Sequence, residues 1–188
     1  RKKVRSLSPE EFSLLEAADY RHRAENEILP ALWAGKTVIA DPYLFTALAR
    51  DSARGLELDW LLNVYLPLLW PDMVFYFAIS AETSGKRIAT KKAPKYYDAG
   101  QDVTNIEDPL ESYKQFVGRM IQEYQGLALA FNFTTVDAEQ SIYNQHRLIR
   151  QQFQQGQRKP WAEWNTEALA EWLDWRQKCP EVPIGPQG

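Results

Sequence analysis

Hydrophobic runs and polar punctuation divide the chain into short apolar segments separated by longer stretches of mixed character. Ser8-Pro9-Glu10-Glu11 puts a hydroxyl at an N-cap, proline at the first helical position and a glutamate three residues after the serine, which completes a capping box. The helix opened there is predicted to run through FSLLEAADYRHRAENEIL and to be disturbed at Pro30. It should continue through Ala31-Leu32-Trp33 and stop at Gly35, a residue suited to a left-handed C-cap. Residues 36–41, KTVIAD, form a β-branched apolar run closed by an acid and predict a buried strand.

Residues 44–53 have helical composition, Gly55 interrupts them, and LELDWLLNVYLPLL predicts a second helix that Pro67 ends or kinks. Pro71-Asp72 then introduces residues 73–79, MVFYFAI, whose apolar character is too continuous for a sheet with one wet face. A second buried strand is predicted, with helices on both sides. Residues 82–90 predict a short helix, and residues 93–108 a loop with a Tyr-Tyr-Asp-Ala-Gly turn. Residues 109–130 predict an amphipathic helix with Tyr113, Phe116, Met120 and Tyr124 spaced for one face. Residues 133–137, FTTVD, are a third short strand, and residues 141–152 a further helix.

Strands alternating with helices of this length predict an α/β fold, a parallel sheet flanked by helices and joined by right-handed crossovers. Ligands of such sheets sit beyond the carboxyl ends of strands, and Asp41 and Asp137 each close one. A domain over residues 1–152 is followed by a polar, linker-like stretch and then by WAEWNTEALAEWLDW, a Trp-rich helical extension within residues 153–188.

Charge and composition narrow the partners. The 188 residues carry 22 Lys plus Arg against 25 Asp plus Glu, a net charge of -3, which does not favour a nucleic-acid polymer as partner and makes any basic site local. No apolar run approaches the roughly 20 residues needed to cross a bilayer as a helix, so no membrane partner is expected. One cysteine and two histidines allow neither an internal disulfide nor a thiolate or histidine metal cluster, in keeping with a cytoplasmic setting.

Three groups of residues could carry chemistry. TVIAD has the form of a Walker B element, whose carboxylate holds Mg²⁺ directly or through water, although Asp41 alone reads equally as a turn or helix cap. Arg50, Asp51 and Arg54 lie three and four residues apart, so they can share one helical face or form a solvated ion-pair cluster. Lys86, Arg87, Lys91, Lys92 and Lys95 are five bases without an acid, followed by five acids without a base in residues 98–111. That split suits a basic flap closing over phosphates, or a solvated helix end.

The order AAD, ILPALWAGKTVIAD, PYLFTALARDSARGL, PDMVFYF, a basic segment and VDA resembles the thymidylate kinases over about residues 14–149. The resemblance implies a three-layer P-loop NTPase-like fold and an ATP-dependent nucleoside monophosphate kinase, usually a homodimer with Mg²⁺, acting on dTMP or a related deoxynucleotide. It implies that Asp41 serves catalysis on the Mg²⁺ side together with Arg87. Tyr20, Tyr43, Arg50, Asp51 and Arg54 would meet the acceptor, Lys91 and Lys92 would belong to the lid, and Asp137 and Ala138 would lie beside the adenine.

The departures are specific. GxxxxGK[ST] is absent; the family places that loop before the point where this sequence begins, so an upstream strand and loop are expected. Asp41-Pro42-Tyr43 stands where the family has Asp-Arg-Tyr, and Glu16 and Tyr20 stand where it has an aromatic residue and an arginine. Two alternatives remain beside the kinase reading: a P-loop kinase with another acceptor, and a non-catalytic nucleotide-binding or scaffolding domain.

Overall fold

A computed structural model describes residues 7–65, 69–90 and 92–156, which fall into two compact units dividing after Trp70. In the first unit, helix α1 (Pro9–Arg23) opens as its sequence dictates. Ser8 Oγ accepts from the Glu11 amide at 3.1 Å, and the Ser8 amide donates to Glu11 Oε2 at 2.8 Å. The disturbance attributed to Pro30 begins earlier, in a π turn over Ala24–Ile28. Proline has no N–H to return to the preceding turn, and the helix takes up the misfit as a wider turn in which the Leu29 amide reaches the Ala24 carbonyl. Helix α2 (Leu29–Trp33) then ends at Gly35 with φ +72°. The Lys36 amide closes back onto the Ala31 carbonyl at 3.0 Å, as a left-handed C-cap allows.

The strand predicted at residues 36–41 does not form. These residues are irregular, Ile39 is 92% exposed, and Asp41 is exposed beyond it. A β-branched run becomes a strand only where a neighbour accepts and donates its ladder bonds, and among the described residues of this unit no strand is present. The chain re-enters order in α3 (Leu44–Ser52) and, after a turn at Gly55 with φ +94°, in α4 (Leu58–Tyr65). Both helices turn an apolar stripe inward, and Leu44, Leu48, Leu61 and Tyr65 are fully buried with Tyr20 of α1. The Tyr20 ring meets Tyr43 and Tyr65 edge-on at 6.0 and 6.2 Å, a geometry that favours aromatic pairs. Pro67 lies outside the described residues.

The second unit is built on two parallel strands, β1 (Phe75–Ala78) and β2 (Thr134–Asp137), in register from Phe75 opposite Thr134 to Ala78 opposite Asp137. The parallel crossover is thus present, but the described chain is mostly helical with a small sheet rather than three full layers. β1 is shorter and wetter than its apolar run predicts, with Phe77 46% exposed, because a two-stranded sheet cannot cover both faces. Helices α5 (Ala81–Ala89), α6 (Gln101–Thr104), α7 (Pro109–Ala130) and α8 (Ile142–Gln155) complete the unit.

α7 begins where its sequence predicts, with Asp108 Oδ1 accepting from the amides of Leu110 and Glu111 at 3.0 and 2.8 Å. The predicted loop at residues 93–108 contains α6, entered through Gly100 at φ +67°. The glutamines read as linker extend α8 to its left-handed stop at Gly156, φ +63°; the Trp-rich extension lies outside the described residues.

Gly100 is needed for space as well as for conformation. A Cβ there would lie 2.3 Å from Cγ of Phe116, a buried residue of α7. Gly100→Ala is expected to destabilise the chain by about 1–3 kcal/mol, read as a lowered midpoint in urea unfolding, since both overpacking and positive φ oppose it.

Candidate functional site

In the first unit the chemistry collects around one carboxylate. Asp51 follows Arg50 near the end of α3, and its side chain is wholly buried. Oδ2 accepts from Ser13 Oγ of α1 at 2.7 Å and lies 2.9 Å from the Tyr65 hydroxyl of α4, while Oδ1 accepts from Arg50 Nε at 2.9 Å. The Tyr65 hydroxyl also lies 3.0 Å from the Ser13 carbonyl, but a carboxylate is the stronger claimant for its one proton. Arg50 Nη1 reaches Glu16 Oε2 at 3.3 Å. Arg54 Nη1 reaches the Arg50 carbonyl at 3.5 Å. Both guanidinium groups lie over the Phe12 ring, at 5.1 and 4.6 Å from its centre.

The electrostatics follow from burial and pairing. Burial is the largest influence on Arg50 and pulls its pKa down, yet the charge and hydrogen bond of Asp51, aided by Glu16, outweigh it and leave the pKa raised. The Tyr65 hydroxyl is pushed up, first by burial and then by the neighbouring Asp51 charge. Burial likewise raises Tyr43. Arg50, Asp51 and Arg54 therefore gather as their spacing suggests, but in the interior rather than as a solvated surface cluster.

The other predicted residues of this unit are placed differently. Tyr20 has no exposed surface and is packed on Tyr43 and Tyr65, with the Arg23 guanidinium 4.8 Å from its ring centre. The carboxylates paired with Arg50 are Asp51 and Glu16, while Asp41 is exposed in the irregular segment before α3. Sequence reasoning missed Ser13 and Tyr65. The signal for Ser13 was its spacing of seven from Tyr20, which puts both on one face of α1.

In the second unit the groups lie at the carboxyl ends of the parallel strands. β1 leads to Ser80, the N-cap of α5, and β2 leads to the turn Asp137-Ala138-Glu139-Gln140. Asp137 organises that turn: Oδ1 accepts from the Glu139 amide at 2.8 Å and Oδ2 from Gln140 Nε2 at 3.2 Å. Arg87 of α5 donates through Nη2 to the Ala138 carbonyl at 2.9 Å. Ser80 Oγ donates to Glu139 Oε1 at 2.8 Å. The hydrogen bonds of Ser80 and then Thr83 hold the Glu139 carboxyl below the usual range. Beside this junction an open cavity of about 840 Å³ is lined by residues including Tyr76, Ala78, Ser80, Asp137 and Glu139.

The basic segment does not act as one unit. Arg87 belongs to α5 and is bound to the turn, whereas Lys92 is exposed and Lys91 lies outside the described residues. Among the described residues no three histidine, cysteine or acidic side chains cluster to hold a metal, and no helix is long and apolar enough to cross a membrane.

The family model described as thymidylate kinase matches residues 2–149. The probable thymidylate kinase 2 of Saccharolobus solfataricus is 35% identical over 144 residues, covering 75% of this chain and 67% of its own length. The probable thymidylate kinase of Thermococcus gammatolerans is 31% identical over 144 residues, covering 76% of this chain and 63% of its own length. That of Thermococcus kodakarensis is 38% identical over 92 residues, 49% of this chain and 45% of its own length. The chain thus spans about half to two thirds of these curated relatives.

Two outcomes follow from this geometry. Asp51→Asn is expected to cost about 3 kcal/mol in denaturant unfolding, the low end for breaking a buried pair, because Glu16 still faces Arg50. The Glu139 tether has a lowered folded pKa, so its contribution is present above the ordinary carboxylate value and lost as pH falls through the folded one. Protection factors for amides in the first turn of α5, taken relative to intrinsic exchange at each pH, should fall over that acidic range, and Glu139→Gln should remove that fall.

Proposed function

Because the chain belongs to the thymidylate kinase family, we propose that it serves as an ATP-dependent nucleoside monophosphate kinase, moving the γ-phosphoryl group of ATP onto dTMP. The observation that carries this reading is the family match over residues 2–149, which spans the Arg50 cluster and the Asp137 turn alike. In-line phosphoryl transfer asks a protein chiefly for position and positive charge, and little for covalent chemistry.

The acceptor end is assigned to the first unit. Arg50 supports that role because Asp51 fixes one edge of its guanidinium while a small part of the side chain stays exposed. Arg54 and Tyr43 are assigned beside it. Asp51 and Tyr20, both buried, are assigned to supporting the acceptor residues from within. The nucleotide-base end is assigned to the second unit, with Asp137 and Ala138 beside the adenine. Arg87, Lys91 and Lys92 supply charge toward phosphates.

Mg²⁺ commonly uses one or two protein carboxylates and completes its shell with water and substrate phosphates. Asp41, exposed and single, fits that modest demand, whereas Asp51 does not, since Ser13, Tyr65 and Arg50 already occupy its oxygens. When bound, the ion would neutralise charge between the β- and γ-phosphates. A cytoplasmic homodimer completes the reading, by family resemblance.

A coupled assay of ADP release by the full-length protein with ATP and Mg²⁺ across dTMP, dUMP, dCMP and GMP tests it. Turnover is expected with dTMP at the highest kcat/KM. A preference for another acceptor would reassign the substrate, and release at the acceptor-free background with all four would replace the kinase by a nucleotide-binding domain.

A further inference from the structure

The interior polar network gives Arg50 a direction as well as a partner. We propose that Ser13 and Tyr65 are positioning residues that act through Asp51 to aim the Arg50 guanidinium at the phosphate of a nucleoside monophosphate; this rests on the assignment of Arg50 to the acceptor end. A guanidinium is a planar fork with donors in fixed directions, so fixing one edge sets where the others point. Here the Nε–Nη2 edge faces Asp51, Nε on Oδ1 at 2.9 Å and Nη2 toward Oδ2 at 3.5 Å, Nη1 leans on Glu16 at 3.3 Å, and the plane lies over Phe12. The Arg50 side chain keeps 14% of its surface exposed, while Asp51 has none.

The carboxylate is itself held from behind. A buried carboxylate with a single partner could turn about its last bond and carry the guanidinium with it. Ser13 Oγ at 2.7 Å and the Tyr65 hydroxyl at 2.9 Å both converge on Oδ2, and with that oxygen held, the carboxylate presents Oδ1 to Arg50 Nε at 2.9 Å and Oδ2 to Nη2 at 3.5 Å. These donors come from α1 and α4, while Arg50 and Asp51 belong to α3. Ser13 and Tyr65 are fully buried, so neither can touch a ligand, and any effect they have on binding must pass through Asp51. Holding a group in the geometry it needs removes the cost of ordering it at the moment of binding.

The test compares dTMP with thymidine, which lacks the phosphate, by titration calorimetry on the full-length protein and its Tyr65→Phe and Ser13→Ala variants. Both variants should bind dTMP about tenfold more weakly with thymidine affinity unchanged, the mark of a misdirected phosphate ligand. A lowered unfolding midpoint with the dTMP-to-thymidine ratio unchanged would make the two residues purely structural and overturn the proposal. Equal weakening toward both ligands would overturn it as well. The paired variants guard against one failing to fold. Absence of dTMP binding by the wild-type chain would overturn the kinase reading and this role together, whereas wild-type binding with unaltered variant ratios would overturn this role alone.

Discussion

A carboxylate removed entirely from water is the constraint around which the first unit is organised. Transferring the Asp51 charge to the interior costs several kcal/mol unless its oxygens are matched by donors, and those donors must come from elsewhere in the chain. Ser13, Arg50 and Tyr65 supply them from three helices. The helices can therefore approach one another only in a register that brings a hydroxyl, a guanidinium and a phenol to the same point. Apolar burial of Leu48, Leu61 and Tyr20 drives the collapse, and the polar contacts select which collapsed arrangement survives.

The second unit solves a different problem, that of tying irregular chain to the ends of two strands. Asp137 closes its turn with its own side chain, and Ser80 and Arg87 stitch the start and body of α5 to that turn through Glu139 and the Ala138 carbonyl. Basic residues in this region thus divide by neighbour: one is spent on a backbone oxygen, while the Lys92 side chain remains exposed. Proximity in sequence did not make them one functional class.

Legibility in the sequence tracked the distance over which each feature is decided. The Ser8 box, the start of α7 at Pro109 and the glycine stop at 35 are settled within one helical turn and stand where the residues say they should, whereas α8 runs past residue 152 to Gly156. The parallel pairing was legible because apolar runs and intervening helices leave few topologies. KTVIAD failed because a strand is a property of two segments, and composition shows only one. The Asp51 network was hidden for a related reason: its contacts span 38 residues to Ser13 and 14 to Tyr65, and the spacing of Ser13 from Tyr20 marks a helix face but not the carboxylate that face meets. Arg87 was read by its charge, whereas its partner is a backbone carbonyl, an acceptor every residue carries.

The two classes of ion pair in this chain answer differently to dissolved electrolyte. The run Lys86–Glu82–Lys114–Glu111 lies on the surface, where mobile counter-ions at physiological ionic strength screen charges over about 8 Å. Arg50 and Asp51 meet with little or no side-chain surface open to solvent, where screening is much weaker. A saline medium will thus loosen the seam between α5 and α7 more than it weakens the Arg50–Asp51 pair, so the two halves of the molecule need not share one sensitivity to their ionic surroundings.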